Sequence, residues 1–141
     1  MFFRVGVILE DISYKLTFEE RDAYLYACVE SDFVSFEMII EYTNKIVQQL
    51  KSSRHNRLLL VNESPVLPST DCYLIASYIV KNGVPGHVRI AVVDKSSGHA
   101  KKQEQITQES RSAGLDIMSF TDVADGENWL LTANGKSQGA T

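Results

Sequence analysis

The chain has 141 residues, of which 44% are hydrophobic and 23% charged, and its formal net charge is −4. A domain of this size buries roughly 70% of its unfolded surface, so a core forms without a metal or a disulfide. The acidic balance argues against a nucleic-acid partner. No stretch approaches the ~20 apolar residues of a membrane-spanning helix.

The first third of the sequence predicts strands. Residues 2–9 are apolar except for Arg4, and every second residue from Phe3 to Leu9 is a large apolar one, which predicts an N-terminal strand. Residues 13–19 alternate in the same way, whereas residues 23–29 are apolar on both faces. We therefore predict an antiparallel hairpin in which a half-buried strand leads into an interior strand.

Targeting and cysteine usage both predict a cytoplasmic protein. Glu10 and Asp11 stop the first apolar run, which lacks the basic region and the longer apolar stretch of a secretory signal. Cys28 and Cys72 lie singly in apolar runs, so we expect free buried thiols in a reducing compartment.

A helix is predicted to begin at Ser35, whose hydroxyl can cap the first turn, with Glu37 near the positive end of the helix dipole. Apolar residues at helical spacing predict its buried face: Phe36, Ile39, Ile40, Ile46, Val47 and Leu50. The continuous apolar run at residues 58–61 is typical of a central parallel strand.

Helices and strands alternate over the rest of the chain. The order is a helix from Ser69 or Thr70 to about residue 82, a strand at 88–93, a polar helix at 99–113, a strand at 115–120 and a helix capped by Asp122. Strands joined by helices run parallel, because each right-handed crossover places its helix on a face of the sheet. The predicted fold is one α/β domain over residues 1–131, with a mixed, mostly parallel sheet, an N-terminal antiparallel hairpin and helices on both faces. Residues 132–141 are predicted to be a disordered tail.

Three stretches resemble one known family: the hairpin with its capped helix at 35–38, the strand at 88–93 with Val84-Pro85 before it, and residues 118–130. Together they are similar to small STAS-like domains related to bacterial anti-sigma-factor antagonists, in a branch of unknown function, over roughly residues 12–131. The resemblance implies a STAS-like fold and a regulatory, non-enzymatic role. Gly126 stands where this branch usually has alanine, which predicts a last helix loosened by about 1 kcal/mol.

The resemblance also implies a switch serine at the start of the helix after the third strand. This chain has Pro68-Ser69-Thr70-Asp71 there, in place of the Asp-Ser-Ser-Gly run of the switch proteins. Ser69 is the positional candidate, and Ser69, Thr70 and Asp71 form a candidate switch or ligand loop.

A second candidate loop follows the strand at 88–93. It comprises Asp94, Ser96, Ser97, Gly98 and Lys101 and leads into a helix start, where free amides and a lysine favour an anion. It lacks the spacing of a phosphate loop, so a solvated turn that caps the helix is the alternative interpretation. Both candidate loops leave the carboxyl ends of parallel strands, where open α/β sheets bind ligands.

Three functions follow as hypotheses. The first is a non-enzymatic STAS-like module that binds a protein partner or a small ligand. The second is an anion-binding or nucleotide-binding protein or enzyme that uses the strand-end cleft. The third is a homodimer that pairs through residues 2–9 as an edge strand. The sequence has no Gly-x-Ser-x-Gly elbow and no histidine at metal-ligand spacing, so it predicts no catalytic residue, metal or cofactor.

Overall fold

The computed structural model describes residues 6–10, 14–53, 55–65, 74, 77, 78, 81, 88–95, 98 and 100–132. The strands in this part of the chain are β1 Gly6–Glu10, β2 Lys15–Glu20, β3 Leu25–Glu30, β4 Arg57–Glu63, β5 Arg89–Val93 and β6 Asp116–Phe120. The helices with described bounds are α1 Phe36–Ser53, α2 Ala100–Ser112 and α3 Val123–Leu131. None of the helices described here is long and apolar enough to cross a membrane.

One mixed sheet holds all six strands in the order β1-β2-β3-β4-β5-β6. The pairs β1–β2 and β2–β3 are antiparallel, and the pairs from β3 to β6 are parallel. A backbone bond of 3.0 Å from Arg21 N to Tyr24 O closes the turn between β2 and β3. The predicted α/β class, the mixed sheet and the N-terminal hairpin are confirmed.

The first face of the sheet carries the larger core, which we call the first-face core. Side chains alternate across a strand, so every second residue of the central strands points to this face. The strands and the residues directly before them contribute Tyr14, Leu16, Phe18, Leu25, Ala27, Val29, Leu58, Val88, Ile90, Leu115 and Ile117, and α1 contributes Met38, Tyr42, Ile46, Val47 and Leu50.

The opposite face carries a smaller core, the second-face core, which α3 covers. Its buried members are Tyr24, Cys28, Leu59, Val61, Ala91, Val93 and Leu130. Leu130 of α3 is fully buried, and Trp129 and Phe120 pack at the margin with ring centroids 5.8 Å apart. Helices therefore lie on both faces of the sheet, as predicted.

α1 begins as predicted, and its buried face differs from the predicted one only in the first half of the helix. Ser35 Oγ accepts a hydrogen bond of 3.1 Å from Met38 N, which is the expected cap. The predicted Ile46, Val47 and Leu50 are buried. In the first half of the helix Met38, Tyr42 and Thr43 are buried instead, and the predicted Phe36, Ile39 and Ile40 are half-buried. Met38 and Tyr42 therefore occupy the buried positions that the pattern had assigned to Ile39 and Ile40.

α2 turns a polar stripe towards the protein interior. Gln103, Thr107 and Ser110 are buried, whereas the apolar Ile106 is half-buried. The helix ends at Ser112, and Gly114 in the turn that follows has a φ of 113°, which suits glycine. Bonds of 3.0 Å from Gly114 N to Arg111 O and 3.1 Å from Leu115 N to Ser110 O satisfy the last carbonyls and turn the chain into β6.

α3 packs closely on the sheet. Asp122 Oδ1 accepts a bond of 2.8 Å from Asp125 N, so the predicted cap is present. Gly126 is buried, and a Cβ added there would lie 3.0 Å from Val93 Cγ2 and 3.2 Å from Leu59 Cδ1. The glycine that was expected only to loosen the helix also permits its close approach to β4 and β5.

Of the helix predicted from Ser69, the described residues Leu74, Ser77, Tyr78 and Lys81 are helical. Tyr78 Oη donates a 3.1 Å hydrogen bond to Asn44 Oδ1 of α1. The rest of that segment lies outside the described residues, as do residues 133–141 of the predicted tail.

Candidate functional site

A group of polar side chains lies where β4 and β5 end. We call Asn62, Ser64, Asp94 and Gln103 the strand-end network. Asn62 is the second-to-last residue of β4, and Ser64 follows that strand. Asp94 follows β5, and the side chain of Gln103 extends to it from α2. The carboxyl ends of adjacent parallel strands meet at one edge of the sheet, so the topology brings these side chains together.

Asp94 is the centre of this network. The residue is 5% exposed, and its Oδ2 accepts hydrogen bonds from Asn62 Nδ2 at 3.2 Å and from Gln103 Nε2 at 3.1 Å. Its backbone N donates to Phe120 O at 3.0 Å. A buried carboxylate requires donors such as these two amides. Together the side-chain and backbone bonds of Asp94 connect the end of β5 to β4, β6 and α2.

Asn62 and Ser64 form the other half of the network. Ser64 Oγ donates to Asn62 Oδ1 at 2.8 Å, and Asn62 Nδ2 donates to Ser64 O at 3.0 Å. The amide of Asn62 is thus fixed in orientation by groups on both of its sides. The Ser64 hydroxyl donates to an amide oxygen, which is too weak a base to activate it as a nucleophile.

The structure places part of the predicted anion loop at this edge. Asp94 is in the network, whereas Gly98 and Lys101 are exposed near the start of α2. Ser96 and Ser97 lie outside the described residues, and so do Ser69, Thr70 and Asp71 of the predicted switch loop. The described portion therefore combines a buried carboxylate with an exposed lysine seven positions later.

Sequence reasoning missed Asn62, Ser64 and Gln103. Asn62 was the one available signal, because it interrupts the apolar run of β4 just before the strand ends. Gln103 carried no signal, since a polar residue on a mostly polar helix is expected to face solvent. Its burial depends on the direction in which α2 docks.

A second cluster, formed by Cys28, Glu30 and Glu63, lies at the carboxyl ends of β3 and β4, on the face of the sheet that carries the second-face core. Glu30 is in register with Glu63, and Cys28 lies two residues before Glu30 on the same face. The free thiol of Cys28 is 7% exposed, and its ligand atom lies within 4.8 Å of carboxylate oxygens of both glutamates. These three groups are near enough to one another to share a single cation.

The protonation of Cys28 follows from that environment. Burial, followed by the charges of Glu63 and Glu30, raises the pKa of the thiol to about 11. Cys28 is therefore protonated at neutral pH, and a thiol in that state is a poor nucleophile. This agrees with the expectation that Cys28 is a buried free thiol.

Comparison of the chain with protein-family models, with curated proteins and with solved structures finds no match. The resemblance to STAS-like domains remains a prediction from the sequence.

Proposed function

We propose that this chain is a non-enzymatic, STAS-like regulatory module of the cytoplasm that binds a protein partner or a small ligand at the carboxyl ends of β4 and β5. The observation that carries the proposal is the strand-end network around Asp94. It is a group of oriented polar side chains at the edge where open α/β sheets bind their ligands.

The chemistry of the network favours recognition. Carboxylate oxygens accept hydrogen bonds, so Asp94 suits ligand groups that donate hydrogen bonds. Asn62 and Gln103 hold that carboxylate in one position, which lowers the ordering cost of binding. The polar face of α2, with Gln103 and Thr107 buried, extends the same character away from the strand ends.

The described side chains give little support to catalysis at this edge. Ser64 donates its proton to an amide oxygen, and Cys28 is held as the thiol. His55, the histidine in the described part of the chain, lies before β4, 3.5 Å from Glu20 and a full strand of seven residues from Ser64. A serine and histidine in these positions do not form a nucleophile–base pair.

The first experiment is native mass spectrometry of the purified protein beside its denatured mass. We expect a bound mass that is lost on denaturation and is absent from Asp94→Asn. The matched control is Asp22→Asn, the same change at an exposed position in the turn before β3, at the edge of the sheet away from the strand-end network.

If the wild type carries no added mass, the second experiment is affinity capture with wild type and Asp94→Asn as baits. It should recover a protein that only the wild type holds. Equal recovery by both baits would contradict the proposal.

One observation favours a second candidate, an anion-binding site at the start of α2. The first turn of α2 contains no acidic residue, and Lys101 and Lys102 are exposed there. The amides of a helix start, together with lysines, attract phosphate groups. The buried Asp94 carboxylate opposes it, so the anion would have to bind on the lysine side of the loop.

A thermal-shift screen with inorganic phosphate, phosphate esters and nucleotides separates the two candidates. A ligand at 100 times its dissociation constant stabilises the native state by ~2.7 kcal/mol. If the anion site exists, that shift disappears in Lys101→Gln and persists in Lys51→Gln, an exposed lysine at the end of α1. The absence of a shift with the whole panel would eliminate this candidate.

A further inference from the structure

The outer edge of β6 is set up for pairing with another strand. Of the strands that the structure describes, β6 is last in the sheet order and pairs only with β5. The bond from Asp94 N to Phe120 O shows that the backbone groups of Phe120 face β5. Backbone groups of alternate residues point to opposite edges, so those of Ile117 and Ser119 face outwards.

The composition of β6 gives this edge little protection. Edge strands are usually blunted by internal charges, by proline or by a bulge. β6 has one charge, Asp116 at its first residue, and residues 117–121 contain neither a charge nor a proline. Such a segment is prone to strand addition.

Arg111 covers the edge. It lies in the last turn of α2, and its Nη1 is 3.4 Å from Ile117 O and 3.8 Å from Met118 Sδ. The Ile117 carbonyl is one of the acceptors that an incoming strand would use. The exposed guanidinium therefore occupies a position that a partner strand must take.

The spacing of the outward groups fits one partner, a second copy of β6. In an antiparallel ladder, hydrogen-bonded residue pairs recur every second residue. A two-fold axis at Met118 would place Ile117 of one copy opposite Ser119 of the other, and each pair would exchange both backbone bonds. This arrangement is self-complementary, as a closed two-fold dimer requires.

We propose that Arg111 guards the outer edge of β6 and prevents two copies of the chain from joining their sheets through this strand. Arg111 has two effects. Its guanidinium donates a hydrogen bond to Ile117 O, which a partner strand would need, and its positive charge would repel the Arg111 guanidinium of the second copy in the dimer. Pairing through β6 becomes favourable when both effects are removed.

The test measures molar mass by light scattering after size exclusion, over a range of protein concentrations. We expect the wild type to elute at the monomer mass of 15.8 kDa and Arg111→Met to shift towards twice that mass as its concentration rises. Methionine keeps the aliphatic stem but removes the donors and the charge. Arg111→Lys should restore the monomer, because the ammonium group keeps both.

A second substitution locates the interface. Ser119→Pro removes an outward-facing N–H that makes no bond within the sheet, and proline is tolerated on edge strands. The double variant Arg111→Met/Ser119→Pro should return to the monomer mass. Dimerisation that survives Ser119→Pro, in the wild type or in Arg111→Met, would overturn the proposal, because the contact would then lie elsewhere. A strictly monomeric, folded Arg111→Met would overturn it too. Arg111→Leu, which likewise has neither a donor nor a charge, replaces that variant if its circular dichroism shows misfolding.

Discussion

Gly126 illustrates how a single missing side chain sets the distance between α3 and the sheet. In an exposed helix interior, replacing glycine by alanine stabilises by about 1 kcal/mol. Here the added Cβ would lie 3.0 Å from Val93 Cγ2 and 3.2 Å from Leu59 Cδ1, and both of those side chains are fully buried. Overpacking of this kind costs about 1–3 kcal/mol, so the steric effect outweighs helix propensity.

We therefore predict that Gly126→Ala lowers the free energy of unfolding by about 1 kcal/mol, as measured by urea denaturation. Ala124→Gly is the matched control, since Ala124 is exposed in the first turn of the same helix and should lose less than about 1 kcal/mol through propensity alone. A Gly126→Ala variant more stable than the wild type would show that α3 shifts freely on the sheet.

Tyr24 determines part of the alkaline stability. Burial, followed by a 2.8 Å hydrogen bond that its hydroxyl donates to Glu127, raises the pKa of Tyr24 to about 12, and Arg21 opposes the shift. A tyrosine in the unfolded chain has a pKa of about 10. The stabilisation is therefore complete below pH 10 and is lost as the pH rises from 10 to 12, because only the unfolded state releases the proton in that range.

The measurement for Tyr24 is the unfolding free energy at pH 8 and at pH 11 in wild type and Tyr24→Phe. The wild type should lose more stability between the two pH values than Tyr24→Phe does. Tyr42, whose pKa burial also raises, contributes the same decline in both proteins and cancels in the comparison. Equal declines would mean that the Tyr24 hydroxyl titrates alike in the folded and unfolded chain.

At the scale of elements, the caps and alternations were the parts of the fold that the sequence made predictable. Ser35 and Asp122 cap α1 and α3 through local bonds, and local chemistry is visible in a short window. The burial of Met38 and Tyr42 in the first half of α1 and of Gln103 in α2 was not predictable. Both depend on the angle at which a helix docks, which many distant side chains decide together.

For α1 we predict that Ser35→Ala lowers the unfolding free energy by about 1 kcal/mol, because Met38 N loses its acceptor. Ser35→Asp should keep most of the stability, since a carboxylate accepts the same bond and suits the helix dipole. Ser52→Ala, at an exposed position in the last turn, serves as the control and should change little. The readout is urea denaturation followed by far-ultraviolet circular dichroism. A Ser35→Ala variant as stable as the wild type would mean that water replaces the cap at no cost.

At the scale of the whole molecule, the candidate site was predictable as a location and not as a set of residues. The rule that ligands bind at the carboxyl ends of parallel strands placed the site near Asp94. Its partners Asn62 and Gln103 come from β4 and α2, separated from Asp94 by 32 and 9 residues. Contacts at such separations are set by strand register and helix docking, which no local pattern contains.

The two hydrophobic cores differ in how many buried side chains hold them together. The first-face core combines side chains of α1 with those of five strands, whereas α3 is the helix that the structure describes over the second-face core. Trp129 is the one tryptophan of the chain, and Arg89 stacks over its ring at 3.8 Å. Fluorescence of Trp129 therefore reports the docking of α3, and circular dichroism reports the whole fold.

We predict that Leu130→Ala separates these two signals. Leu130 is fully buried, and its truncation costs about 2–5 kcal/mol, which falls on the contact between α3 and the sheet. Trp129 fluorescence should then change at a lower urea concentration than the circular dichroism signal. Leu50→Ala, which weakens the first-face core, should move both transitions together, and Leu131→Ala, at a residue 40% exposed, should move neither. Coincident transitions in Leu130→Ala would show that the two cores unfold as one cooperative unit.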